Sequence, residues 1–368
     1  MILSRRGFLS SVAAASAFAG DKGQIFPSEL RRFKDLATEF DIYRLTDPAN
    51  RSWLPRSGRA ISRHAGFLIY ASDRSGTVQG YRLDLKTGQS HALTEASGLV
   101  PDSLALTPDE RSVCYLDGQL LMLANLSNSR TRELYRLEAG YQAGRGLHLS
   151  DDGLYAALVE EKAGGSRLRL ITMRMGSAVT VTESAEAISD PLPRPRRAGL
   201  LYRRGNDELW VVNFDGAQNR QLRLAPGGVG PAFWSADGRA VLYLNLPSDK
   251  TQLHNIREFI PDTNEDRLVA NTTQFIAFSG NADSSVFVGA SGSKASPYVL
   301  LLVRSVKREL TLCEHRSSNP AETNPVFSPN SQRIFFQSDR DGKMAIYAMA
   351  VDRLVSETET EPEPEPGR

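Results

Sequence analysis

The stretch NPAETNPVFSPNSQRIFFQSDRDGKMAIYAMAV, residues 319–351, reads as one β-sheet written out in order: an apolar entry strand, a turn, a buried strand, a second turn and a third strand. The same plan recurs in ALTPDERSVCYL (105–116), HLSDDGLYAALV (148–159), FWSADGRAVLYL (233–244) and SGNADSSVFVGA (279–290). Weaker copies are ISRHAGFLIYAS (61–72) and PRPRRAGLLYRR (193–204). The residue opening each turn gives seven anchors: Ser62, Thr107, Ser150, Arg194, Ser235, Asn281 and Ser328. They are spaced by 45, 43, 44, 41, 46 and 47 residues.

A period in the forties with several strands per unit is the signature of a β-propeller, in which each unit is a four-stranded blade around a central channel. The second hairpin of a blade is visible in SDRSGTVQGYRLDLKTGQSHALT, where the turn Lys86-Thr87-Gly88 leads into a fourth strand. The expectation is an all-β, seven-bladed propeller over residues 41–352. After AIYAMAV no fourth strand remains for the last blade, while FDIYRLTDP (40–48) resembles the fourth strands of other blades. The segment Asp41 to Thr46 is therefore expected to complete blade seven and close the ring, leaving no exposed sheet edge. Helical periodicity appears only in PSELRRFKDLATEF, within a helical or linker segment over residues 20–40.

The ends carry separate signals. MILSRRGFLSSVAAASAFAGDKG has twin arginines at Arg5 and Arg6, a small apolar run, and Ala17-Phe18-Ala19 as a cleavage pattern. Residues 1–19 thus read as a twin-arginine export leader, which predicts a periplasmic protein with no membrane span once the leader is removed. Residues 353–368, acidic and Pro-rich, read as a disordered tail. Lys plus Arg number 44 against 43 Asp plus Glu, so the total charge predicts no nucleic-acid partner. Cys114 and Cys313, the two cysteines, fall in non-adjacent repeats inside apolar strands and are expected to be buried free thiols.

Residues four to six positions before each anchor should line one mouth of the channel, where propeller loops converge on ligands. They include Arg56, Asp190, Ala277, Pro231, Glu322 and Asn324, with Asp102, Arg145, Ser189 and Gln274 as neighbours. Of the histidines His64, His91, His148, His254 and His315, only His148 falls on an expected innermost strand, where it reads as hydrogen-bonded within its blade. Basic clusters such as Arg194 to Arg197 and Arg203-Arg204 read as solvated blade edges.

The blade sequences GFLIYASDRSGTVQGYRLDLKTGQSHALT, PDSLALTPDERSVCYL, GYQAGRGLHLSDDG, ELWVVNFDG, PAFWSADGRAVLYL and NPVFSPNSQRIFFQSDRDGKMAIYAMAV resemble oligogalacturonate lyases, seven-bladed propellers acting on pectin fragments. The resemblance implies β-elimination on uronic acid residues, assisted by Mn²⁺ held on histidines, including a His-Pro-His-Pro run in the last blade. Here Glu322-Thr323-Asn324-Pro325 stands at that run and Asn319 at an expected glutamine ligand. Ala277, Pro231 and Asp190 stand where the family carries histidine. Asn319, Glu322 and Asn324 are the candidate metal ligands, a set of oxygens suited to Ca²⁺ or Mg²⁺ rather than Mn²⁺. Arg56, Arg145 and Asp190 are the candidate substrate-binding residues, the arginines matching a uronate carboxylate. Two readings stay open: a monomeric propeller that binds or cleaves acidic oligosaccharides, and a non-catalytic TolB-like propeller that binds a protein or sugar at the channel mouth.

Overall fold

The computed structural model describes residues 22–56 and 59–354; the leader and all but the first two residues of the tail lie outside them. Seven antiparallel sheets follow one another in the chain, each with at least four strands. Their innermost strands are Ser52–Trp53, Ala105–Leu106, Gln142–Leu149, Ile188–Pro193, Gly228–Trp234, Phe275–Gly280 and Val326–Phe327. The expected all-β propeller with seven blades is the observed fold.

The anchor residues explain why the repeat is legible. In all seven, the backbone N–H of the anchor donates to the carbonyl five residues on, from Ser62 to Phe67 through Ser328 to Arg333. In six, the side-chain oxygen of the anchor also accepts the N–H of that same fifth residue, at 3.0–3.1 Å. A short Ser, Thr or Asn side chain reproduces a backbone acceptor at a tight turn, which is why these types recur there. Arg194 has no such oxygen and keeps the backbone bond alone.

The core lies between blades. Second strands read as continuous apolar runs because alternate residues face opposite neighbours. In blade one, Leu68 and Tyr70 pack toward blade seven, while Ile69 and Ala71 pack toward blade two. In blade five, Val241 and Tyr243 join blade four, while Leu242 and Leu244 join blade six. Hydrophobic clusters of this kind fill all seven interfaces around the ring.

Closure follows the expected course. Asp41–Arg44 pairs antiparallel with Ala345–Ala350, placing Tyr43 opposite Ala348 and Arg44 opposite Tyr347. Ile42 is fully buried in the cluster between blades six and seven. The helical reading of the preceding segment is corrected: Arg31–Lys34 is a strand that pairs with Asp41–Arg44 as a fifth member of blade seven. Asp35 Oδ1 accepts from the N–H groups of Ala37 and Thr38, which reverses the chain between the two strands. Of the apolar stripe of the expected helix, only Phe33 packs onto the core, edge-on to Tyr347, while Leu30, Leu36 and Phe40 remain exposed. An open sheet edge satisfies the backbone instead, and the exposed Arg31, Arg32 and Lys34 keep the new edge charged. Ile25–Phe26 similarly adds a fifth strand to blade one against His91 and Ser90.

Cys114 lies in blade two and Cys313 in blade six; both are free and buried. Burial pushes the Cys114 thiol up to about 12 and that of Cys313 up as well, so neither forms a thiolate near neutrality. Thiol titration is therefore expected to count two groups after unfolding and almost none in the folded protein. A count of zero after unfolding without reductant would overturn the assignment.

Candidate functional site at the channel mouth

Four innermost strands carry a β-bulge in the segment expected at the mouth. Their registers shift between Ala143 and Leu147, Ser189 and Leu192, Val229 and Ala232, and Phe275 and Ala277. A bulge frees backbone groups from the ladder and re-aims the side chains within it. The bulges of blades three and four interlock. Gly146 has φ +101°, and a Cβ there would lie 2.9 Å from Asp190 Cα and 2.8 Å from Pro191 Cδ. Only glycine permits that approach. Asp190 itself adopts φ 50°, a conformation that Asp tolerates better than most residues.

These bulges open onto a cavity of about 630 Å³ lined by Arg56, Arg145, His148, Asp190, Arg203 and Asn324, among others. Arg145 forks onto Asp190, with Nε 3.0 Å from Oδ1 and Nη2 2.7 Å from Oδ2. Its side chain is 68% exposed, so the pair shapes the mouth more than it stabilises the fold. Arg203 stands behind, with Nε 3.8 Å from Asp190 Oδ2 and its side chain 12% exposed. It donates to the carbonyls of Val229 and Gly230 at 2.9 and 2.7 Å, groups within the bulge of blade five. Burial lowers the Arg203 pKa, Asp190 opposes the shift, and Arg145 adds to it. The reading of Arg203 as a solvated edge residue is thereby corrected. Its local sequence gives no sign of this, because the acceptors belong to the next blade.

Arg56 donates only a 3.4 Å bond, to the Ala321 carbonyl, and keeps an exposed guanidinium at the mouth. Asp102 keeps an exposed face but is otherwise ringed by protein, and this burial raises its carboxyl pKa against the opposing pull of Arg56 and Arg145. His148 lines the cavity, yet its Nδ1 is occluded and without a hydrogen-bond partner. Burial pushes the imidazole down to about 4, outweighing Asp190 and a backbone bond with Pro191. It stays neutral at neutral pH. His315 is held by the Ser291 carbonyl at Nε2 and by the Ser317 N–H at Nδ1, a fully used structural histidine.

The three candidate metal ligands are not brought together around one point. Asn324 lines the cavity, and its Nδ2 donates to the Leu54 carbonyl at 3.0 Å. Asn319 instead caps the turn Pro320–Glu322, its Oδ1 accepting from Ala321 and its Nδ2 donating to Glu322 Oε1 at 3.1 Å. The other oxygen of Glu322 faces Arg51 at 3.5 Å, off the cavity lining. Gln337 holds this loop by donating to the Glu322 carbonyl and accepting from Leu54 N–H. Among the described residues no three His, Cys, Asp or Glu side chains are grouped as a metal would require. Of the positions expected to carry histidine, Ala277 and Pro231 offer no side-chain donor atom, and the Asp190 carboxylate is taken by the fork of Arg145.

Fold and cavity together define a closed seven-bladed propeller with an arginine-rich channel mouth. No protein-family profile matches the chain. It is nevertheless similar along nearly its whole length to oligogalacturonate lyases. The oligogalacturonide lyase of Pectobacterium atrosepticum and the oligogalacturonate lyase of Dickeya dadantii are each 23% identical over 90% of this chain and 98% of their own length. Among solved structures, an oligogalacturonate lyase in complex with manganese superposes with a TM-score of 0.84 at 21% identity, covering 89% of this chain and 98% of that one. The oligogalacturonate lyase of Vibrio parahaemolyticus gives 0.83 at 22% identity, covering 90% and 98%.

Proposed function

We propose that this protein is an oligogalacturonate-lyase-like propeller whose channel mouth binds acidic oligosaccharides of the pectin-fragment class. The observation that carries this reading is the convergence of the Arg56, Arg145 and Arg203 guanidiniums on one cavity, in a ring similar to those lyases. Guanidinium groups match carboxylates in shape and charge, and repeated uronates offer one carboxylate per sugar. Asp190 already sits in the fork of Arg145 and beside Arg203, an internal carboxylate pairing that supports the reading.

Calorimetry with trigalacturonate tests the reading. Arg56→Ala removes the least engaged guanidinium and should weaken binding by about 2 kcal/mol, roughly thirtyfold. Asp190→Asn keeps a residue that tolerates positive φ while removing the competing charge, and should tighten binding about three- to tenfold. No binding by the unaltered protein, or indifference to both substitutions, would favour the alternative of a propeller that binds a protein. Ultraviolet absorbance on the same samples separates turnover from binding, because elimination leaves a C4–C5 double bond conjugated with the carboxylate.

A further inference from the structure

We infer that the channel meets its carboxylate ligand with guanidinium charge alone and holds no divalent cation; this rests on the acidic-oligosaccharide reading and sharpens it. A solved relative of closely similar fold contains manganese. A cation in this ring would need donors at the same mouth, and the donor set here does not fit one. The mouth's best-placed carboxylates are already committed, which leaves the Asp102 carboxylate and the Asn324 Oδ1, too few protein oxygens for a divalent cation. Glu322 is shared between Asn319 and Arg51, and Asp190 between Arg145 and Arg203. His148, the histidine of the lining, has its Nδ1 occluded from the cavity.

The electrostatics point the same way. A Mn²⁺ ion placed near Asn324 would share the cavity with Arg56, Arg145 and Arg203, which outnumber the Asp190 carboxylate, so the net charge of the lining opposes a further cation. Those guanidiniums supply what a cation would otherwise supply to a uronate, namely neutralisation of its carboxylate. Arg203 suits that part because bulge carbonyls fix it in place before any ligand arrives. Such a site gives an affinity governed by salt, since the partners are partly exposed and screened.

Two titrations by isothermal calorimetry test the inference on the intact protein. Manganese chloride alone should give no saturable heat up to millimolar concentration. Trigalacturonate in EDTA should bind within about twofold of its affinity in millimolar Mn²⁺, because no linked cation site exists. Saturable Mn²⁺ binding that Asn324→Ala removes, or trigalacturonate binding that appears only with Mn²⁺, would overturn the inference while leaving the acidic-sugar reading intact. No trigalacturonate binding under either condition would overturn both. Arg56→Gln should weaken the EDTA-insensitive binding at least tenfold, and binding untouched by it would remove the guanidinium as the source of affinity.

Discussion

Ile42→Ala is expected to destabilise the folded ring by about 2–5 kcal/mol, the usual cost of deleting a buried isoleucine side chain and leaving a cavity. Ile42 is fully buried among Val286, Val299, Leu312, Ile334 and Tyr347, so the cavity would open in the interface between blades six and seven. It also lies on the strand that joins the N-terminal segment to the last blade. The accessory strand on blade one provides the control: Ile25 is 55% exposed, and Ile25→Ala should change stability by no more than about 0.5 kcal/mol. Urea unfolding of both variants checks the pair. Equal effects would mean that Asp41–Arg44 decorates the ring instead of closing it.

Acidification between pH 6.5 and about 4 is expected to remove about 3 kcal/mol of stability through His148 alone. The sign follows from burial. Above pH 6.5 the imidazole is neutral in both states and contributes no pH dependence. Below it the unfolded chain takes up a proton that the folded ring refuses, so unfolding gains. Once the pH passes the folded pKa, near 4, both states are protonated and the loss is complete. His315, whose pKa burial also lowers, adds a term of the same sign. His148→Gln removes the first term while leaving the carboxylates common to both proteins. Its stability should therefore fall less steeply than that of the unaltered protein across this window, as followed by urea midpoints. Parallel curves would show that His148 accepts its proton in the fold, through an opening of the channel that the folded geometry does not contain.

The channel's behaviour depends on which groups are already engaged before a ligand arrives. Arg145 was expected to offer its fork to a uronate, and the structure has given that fork to Asp190. Glu322 was expected among metal ligands, and Asn319 and Arg51 hold it away from the cavity lining. In both cases the residue's charge was legible in the sequence. Its partner could not be read, because the partner comes from another blade or from across a turn.

What the sequence by itself determined is what local rules govern. The Ser, Thr and Asn anchors recur because six of the seven turns use a side-chain acceptor for the N–H five residues on. That bond is short-range, so seven blades, their order and the direction of each innermost strand follow from spacing. The apolar runs named the strands, the missing fourth strand of the last blade named its N-terminal substitute, and the cysteines' places in separate repeats made them free thiols. Tertiary structure alone decided the rest. An open sheet edge outcompeted a weak amphipathic helix at Arg31–Lys34. Bulges presented the carbonyls of Val229 and Gly230 to Arg203 and drew an apparent surface residue into the channel. A backbone bond five residues long is written in the order of the chain, whereas a charge settles on whichever partner the closed ring brings within about 4 Å.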